Sequence, residues 1–157
     1  MQALALVAAG LVVGLAAASV AVRASVGRAQ DRLARSLLES PGASFRLLTR
    51  GELCGPGRHR RFPGVVGLTG SAVVFHGVFG ETRILPTDAI VKIVTGTRLA
   101  DGRALLRREA LRLTRQGGEE TQFVLSRSSA SAWRSHLGLW AVEERRAAMD
   151  LVTPGKR

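Results

Sequence analysis

Hydrophobic residues alternate with small or polar ones on both sides of a two-residue break at Gly70-Ser71. Val66 and Leu68 precede the break; Val73 and Phe75 follow it. A period of two predicts strands, and glycine at the first central position predicts a type II′ hairpin turn. Pairing about that turn sets Thr69 against Ala72, Leu68 against Val73 and Val66 against Phe75. The four large apolar side chains then share one face. A slip of one residue would move them to the other, so the register is specified. Val65, Gly67, Thr69, Val74 and His76 make the opposite face, which is smaller and more polar. Beyond Gly77 and Gly80 the chain runs extended over 82–85, breaks at Pro86 and resumes over 90–95. This pattern predicts an antiparallel meander.

Three more strands and a helix follow from the same reasoning. Residues 45–54 predict a first strand, with Gly55-Pro56-Gly57 as its turn. Leu111 and Leu113 alternate with Arg112 and Thr114, and Phe123 and Leu125 with Gln122 and Val124. Pairing Leu113 with Phe123 and Leu111 with Leu125 leaves a three-residue loop, Gly117-Gly118-Glu119, with room for a left-handed glycine. Leu99 to Arg103, containing Asp101-Gly102, reads as a polar connection. Ser126, Ser128 and Ser129 are candidate caps for a final helix to about Met149. Ala130, Trp133, Leu137 and Trp140 recur at helical spacing with Arg134 off the stripe, which predicts one face buried on the sheet.

The first forty residues follow a different pattern. Residues 3–22 carry no charged side chain, and a helix of that length spans roughly 30 Å, one bilayer core. The start lacks the basic region of a signal peptide, and Arg23, Arg28, Arg32 and Arg35 follow it, so 1–22 reads as a retained transmembrane helix. The positive-inside rule puts the N-terminus outside and the remainder in the cytoplasm, at the inner membrane. Gly10 and Gly14 have the small-xxx-small spacing that would serve a homodimer. Over 23–40, Val26, Ala29, Leu33 and Leu37 share a face opposite Arg28, Arg32 and Arg35, a basic juxtamembrane amphipathic helix. Ser40-Pro41-Gly42 ends it. The domain is expected over 41–150, with a flexible tail at 151–157.

The net charge of +11 is almost entirely arginine and unevenly spread. Residues 23–61 hold nine Arg against Asp31, Glu39 and Glu52, a net +6. A uniform compositional bias would not concentrate charge there. Cys54 is the single cysteine, which excludes an intramolecular disulfide, and no Cys/His spacing suits zinc.

The hairpin Gly64-Val-Val-Gly-Leu-Thr-Gly-Ser-Ala-Val-Val-Phe75, the stretch Arg83-Ile-Leu-Pro-Thr-Asp-Ala-Ile-Val-Lys-Ile-Val94 and Trp133 near the start of the last helix resemble bacterial PH-like and GRAM-type domains. The resemblance covers roughly 45–142 and is poorest over 45–61. It implies a mainly β fold: a PH-like seven-stranded antiparallel split barrel of two nearly orthogonal sheets. A C-terminal α-helix caps the barrel, with Trp133 and Leu137 turned inward. It also implies a non-catalytic scaffold for acidic lipid headgroups or proteins, needing no cofactor.

Lipid-binding members often carry a spaced basic pattern across the first strand and the following loop. Arg50 and then Arg58-His59-Arg60-Arg61 match that spacing, with arginine in place of the family's first lysine. Arg50, Arg58, Arg60 and Arg61 are therefore the candidate ligand-binding residues, and Arg112 is placed on a strand remote from them. His59, His76 and His136 are scattered, with no nucleophile or paired carboxylates around them, so an enzyme is disfavoured. No aromatic residues interleave the arginines, which disfavours nucleic acid. The expected partners are the lipid bilayer with its anionic headgroups, or a membrane protein. The alternative is a small structural subunit of a membrane complex, held through Gly10 and Gly14.

Overall fold

The structure, a computed structural model, describes residues 2–42, 44–55 and 60–137, with side chains from residue 16 onward. Arg58 and His59, the turn at Pro56-Gly57, the helix beyond residue 137 with Trp140, and the tail 151–157 lie outside the described residues, as do the contacts of Gly10 and Gly14.

Helix α1 (Gln2–Glu39) is followed by strands β1 (Leu47–Cys54), β2 (Arg61–Leu68), β3 (Ala72–Gly77) and β4 (Thr82–Pro86). A single 3₁₀ turn (Thr87–Ala89) leads into β5 (Ile90–Gly96), β6 (Arg108–Arg115) and β7 (Glu120–Ser126). Residues 127–137 form a second helix, α2. All seven strands belong to one antiparallel sheet in the order β4-β3-β2-β1-β7-β6-β5. The two sheets expected from the resemblance are thus joined: β1 pairs with β7 from Gly51↔Leu125 to Cys54↔Gln122.

One core cluster takes Val73 and Leu85 from one end of this sheet, and Ile90, Leu111 and Leu113 from the other. Residues so far apart in strand order meet only if the sheet curls on itself. The result is a half-barrel, open between β4 and β5. Helix α2 fills its hollow with Ala130, Trp133 and Leu137, all buried. Ser126 caps α2, its Oγ accepting from the Ser129 amide at 3.1 Å. Strand order, curl and docked helix fit a PH-like architecture.

The central hairpin has the expected pairs, Leu68↔Val73 and Val66↔Phe75, and all four residues enter the core. Its turn is not type II′, which needs a left-handed first residue: Gly70 is absent from the glycines with positive φ. Thr69 closes it instead, its Oγ1 accepting from the Ala72 amide at 3.0 Å. The β6–β7 register differs by two residues from expectation: Leu111 faces Phe123, and Leu113 faces Thr121. The loop is Gln116-Gly117-Gly118, closed by Arg115 N–H to the Glu119 carbonyl at 2.9 Å. In such a loop the last residue is left-handed. That residue is Gly118, with φ 85°, rather than Glu119. A shift of two preserves the inward face, so the core is unchanged.

The outward face of the sheet is covered at both ends. Val65 is fully buried, and Val74 nearly so, although their face is the one expected to be more polar. Helix α1 lies over β1 and β2. The apolar side of its C-terminal half needs a partner, and this strip of sheet supplies one. Gln30, 8% exposed, locks the contact: its Nε2 donates to the Gly51 carbonyl at 3.0 Å and the Gly64 carbonyl at 2.8 Å. Losing both bonds should cost about 1–3 kcal/mol, so urea denaturation should show Gln30→Ala less stable by that amount. On the other half, Leu99 and Leu105 fold back onto Ala110 and Val124. The supposed polar connection is therefore a small second core.

The transmembrane helix expected over 1–22 is not found: among the described residues no helix is long and apolar enough to cross a membrane. From Arg23 onward α1 carries Arg23, Arg28, Asp31, Arg32, Arg35 and Glu39, so that part of the helix holds more charge than a hydrocarbon-embedded segment does. The side chains before residue 16 lie outside the described part. The expected basic helix over 23–40 is the continuation of the same α1.

Candidate functional site

The arginines that the sequence grouped are dispersed. Arg50 projects from β1 on the outward side and pairs with Asp31 of α1. Arg61 begins β2, opposite Cys54. Cys54 lies four positions along the strand from Arg50, about 13 Å at 3.3 Å per residue. Arg61 instead approaches Glu52 at 3.6 Å, and Arg108 binds the other Glu52 oxygen at 2.6 Å. Arg60 is exposed with no ion-pair partner among the described residues, and its carbonyl accepts from the Gly55 amide at 3.0 Å. Arg58 lies outside the described residues. Arg50 is thereby drawn toward α1, while Arg60 and Arg61 face the β1–β2 connection. Glu52 and Asp31, which decide this division, were counted in the sequence only as opposing charge. Their roles depend on which strand and helix lie beside them.

Two adjoining clefts open at this end of the half-barrel, sharing Cys54, Gly55, Ala100 and Gln122 on their walls. The wider, about 630 Å³, lies toward β4 and the β6–β7 loop. Its charged residues are Glu81, Arg83, Arg115, Glu119 and Glu120. Arg83 lies 3.7 Å from Glu81, and Arg115 is paired with Glu119. Among the described residues acid outnumbers base on its walls, an arrangement that does not favour anions. The narrower, about 230 Å³, lies between the start of β2 and the β5–β6 connection. It is lined by Arg60, Arg61 and Arg103 against one carboxylate, Asp101. Asp101 accepts from Arg103 Nε at 2.7 Å and from its backbone amide at 3.1 Å, which holds the connection in shape.

A second basic surface lies on α1. Its buried side contacts the sheet, leaving Arg28, Arg32 and Arg35 exposed along one outward stripe with Asp31 beside it. The sequence identified this stripe correctly. What it lacked was the surface against which the opposite side is packed.

Among the described residues, titratable groups give no acid–base pair. Burial raises the Cys54 thiol above its ordinary value and outweighs the lowering by Arg61. The thiol is therefore poorly ionised at neutral pH, the reverse of an activated nucleophile. Burial lowers the His76 imidazole, whose Nδ1 sits 3.5 Å from Thr82 Oγ1. Among the described residues no group of three His, Cys, Asp or Glu could hold a metal.

No family model and no curated protein matches the chain. Among solved structures, the C-terminal domain of an unknown protein from Leishmania infantum aligns with a TM-score of 0.49 and 10% identity. That alignment covers 62% of this chain and 84% of that one. The pleckstrin homology (PH) domain of USP37 aligns with a TM-score of 0.41 and 20% identity, over 63% of this chain and 94% of that one.

Proposed function

We propose that the chain is a non-catalytic binding module of PH-like architecture working at a membrane surface, where it holds an acidic lipid headgroup. The observation that carries this reading is the way α1 is docked. Its apolar side and Gln30 are used by the sheet, so Arg28, Arg32 and Arg35 are turned outward together. A basic stripe on a helix fixed to a rigid body suits an anionic surface.

The full chain should bind vesicles containing phosphatidylserine better than vesicles of phosphatidylcholine alone, and added salt should erase the difference. Each basic residue near an anionic surface contributes about 1 kcal/mol. Replacing Arg28, Arg32 and Arg35 together by Gln should therefore weaken binding to the anionic vesicles about a hundredfold. Alkaline carbonate washing of cell membranes separates a surface-bound chain, which is released, from an inserted one. Vesicle binding indifferent to lipid charge and to the three replacements would refute this reading and favour a protein partner.

A further inference from the structure

Two buried donors on the outward face of the sheet lack an acceptor among the described residues. Gln122 is 9% exposed, and its Nε2 has no hydrogen-bond partner; the buried Nε of Arg112 has none either. The strand register brings them together. Arg112 pairs with Gln122 across β6 and β7, Gln122 with Cys54 across β7 and β1, and Cys54 with Arg61 across β1 and β2. Arg112 is thus not remote from the loop arginines, as its place in the sequence suggested. It belongs to the same transverse row, about 14 Å from Arg61 at 4.8 Å per strand. Native structures rarely leave buried donors unsatisfied, and each that remains calls for an explanation.

Gln122 forms part of the wall of the narrower cleft. Arg60, Arg61 and Arg103 also line that space, while Asp101 is bound to Arg103 and Glu52 is shared between Arg61 and Arg108. Glu120, two residues from Gln122 on the same face of β7, is exposed on the wall of the wider cleft. The narrower cleft keeps an excess of positive charge after these acids are counted. Its volume, about 230 Å³, is below the roughly 300–1,000 Å³ of sites for drug-sized ligands. A tetrahedral anion with several acceptor oxygens suits guanidinium forks and an amide donor.

We propose that the cleft between the start of β2 and the β5–β6 connection, walled by Arg60, Arg61, Arg103 and Gln122, is a binding site for a phosphate-type oxyanion. The anion accepts from the guanidinium groups and from the Gln122 amide, which turns toward it. Arg112 stands behind Gln122 and adds to the positive potential. This deepens the binding-module reading by giving the acidic group a place in the fold. It rests on that reading only for the source of the phosphate, which is either a lipid headgroup or a soluble phosphate.

Cys54, the single cysteine, is on the cleft wall and reports on its occupancy. Alkylation of the full chain by iodoacetamide, a neutral reagent, is followed by mass spectrometry at fixed pH and ionic strength. Inorganic phosphate at about four times its dissociation constant should slow the reaction about fivefold relative to chloride, the factor being 1 + [L]/Kd. Arg60→Ala and Gln122→Leu should remove this protection. Arg46→Ala, at the opposite end of the β1–β2 pair, should keep it. Gln122→Leu discards an unpaired buried amide, so its thermal midpoint should not fall; a fall would mean that Gln122 is structural and would overturn its assigned role. Protection by inorganic phosphate supports a soluble source. Protection by phosphatidic acid vesicles alone, with none from phosphatidylserine vesicles of equal charge, supports a lipid source. Equal rates in chloride, phosphate and both vesicles overturn the site. Salt-sensitive vesicle binding would then still stand on Arg28, Arg32 and Arg35, whereas protection without vesicle binding would sink the membrane reading and keep the site.

Discussion

Trp133→Ala should destabilise the protein by about 3–5 kcal/mol, as truncation of a buried core aromatic does. Trp133 has no exposed surface and is among the largest fully buried side chains described. It sits in the hollow of the curled sheet, in one cluster with Phe75, Phe123 and Leu125. Its Nε1 donates to Thr49 Oγ1 at 2.9 Å, a bond from α2 to the middle of β1. Removing the side chain leaves a void at the junction of the two arms of the sheet and strands the Thr49 hydroxyl. Arg134→Ala, one position along, should cost under about 0.5 kcal/mol. Arg134 is half-exposed and reaches Glu109 only at 3.5 Å. The comparison is made by urea denaturation of the full chain, followed by circular dichroism. Equal losses from both replacements would show that α2 does not dock through Trp133.

Gly64→Ala is expected to cost at least about 2 kcal/mol, at the upper end of overpacking penalties. A Cβ at Gly64 would fall against the carbonyl oxygen of His76 and within 2.6 Å of two Phe75 ring atoms. The carbonyl belongs to β3, paired with β2 through Gly64↔Gly77, so relief requires the strands to separate. The Gly64 carbonyl also accepts from Gln30, and such a shift would loosen α1 as well. Gly70→Ala is the internal comparison. Nothing lies within 4 Å of a Cβ at Gly70, and its φ is not positive. It should be neutral, or gain up to about 1 kcal/mol from a stiffer unfolded chain. If Gly64→Ala proved as mild as Gly70→Ala, the tight approach of β2 to β3 would be refuted.

Period-two alternation was enough to place the strands, and helical spacing was enough to turn Ala130, Trp133 and Leu137 inward, because both depend only on neighbours along the chain. The hairpin register at Leu68 and Val73 was legible for the same reason: a one-residue slip would have exposed four large apolar side chains. Between β6 and β7 the pattern alone was insufficient, since a two-residue shift keeps every face in place. In the register found, Gly117 and Gly118, both with positive φ, take the last two places of the loop, and Glu119 closes it.

The sequence by itself determined the strands and their inward faces, the C-terminal helix and the basic stripe of α1. The tertiary structure decided what covers the outward face and where each arginine belongs. The apolar side of α1 and the strip around Val65 meet only when the sheet exists, and Gln30 becomes a lock only between Gly51 and Gly64. Charge acts through space rather than along the chain. Arg50 therefore goes to Asp31, nineteen positions away, and Glu52 to Arg108, fifty-six away. Gln122 and Arg112, ten positions apart, become neighbours because β6 and β7 are adjacent strands.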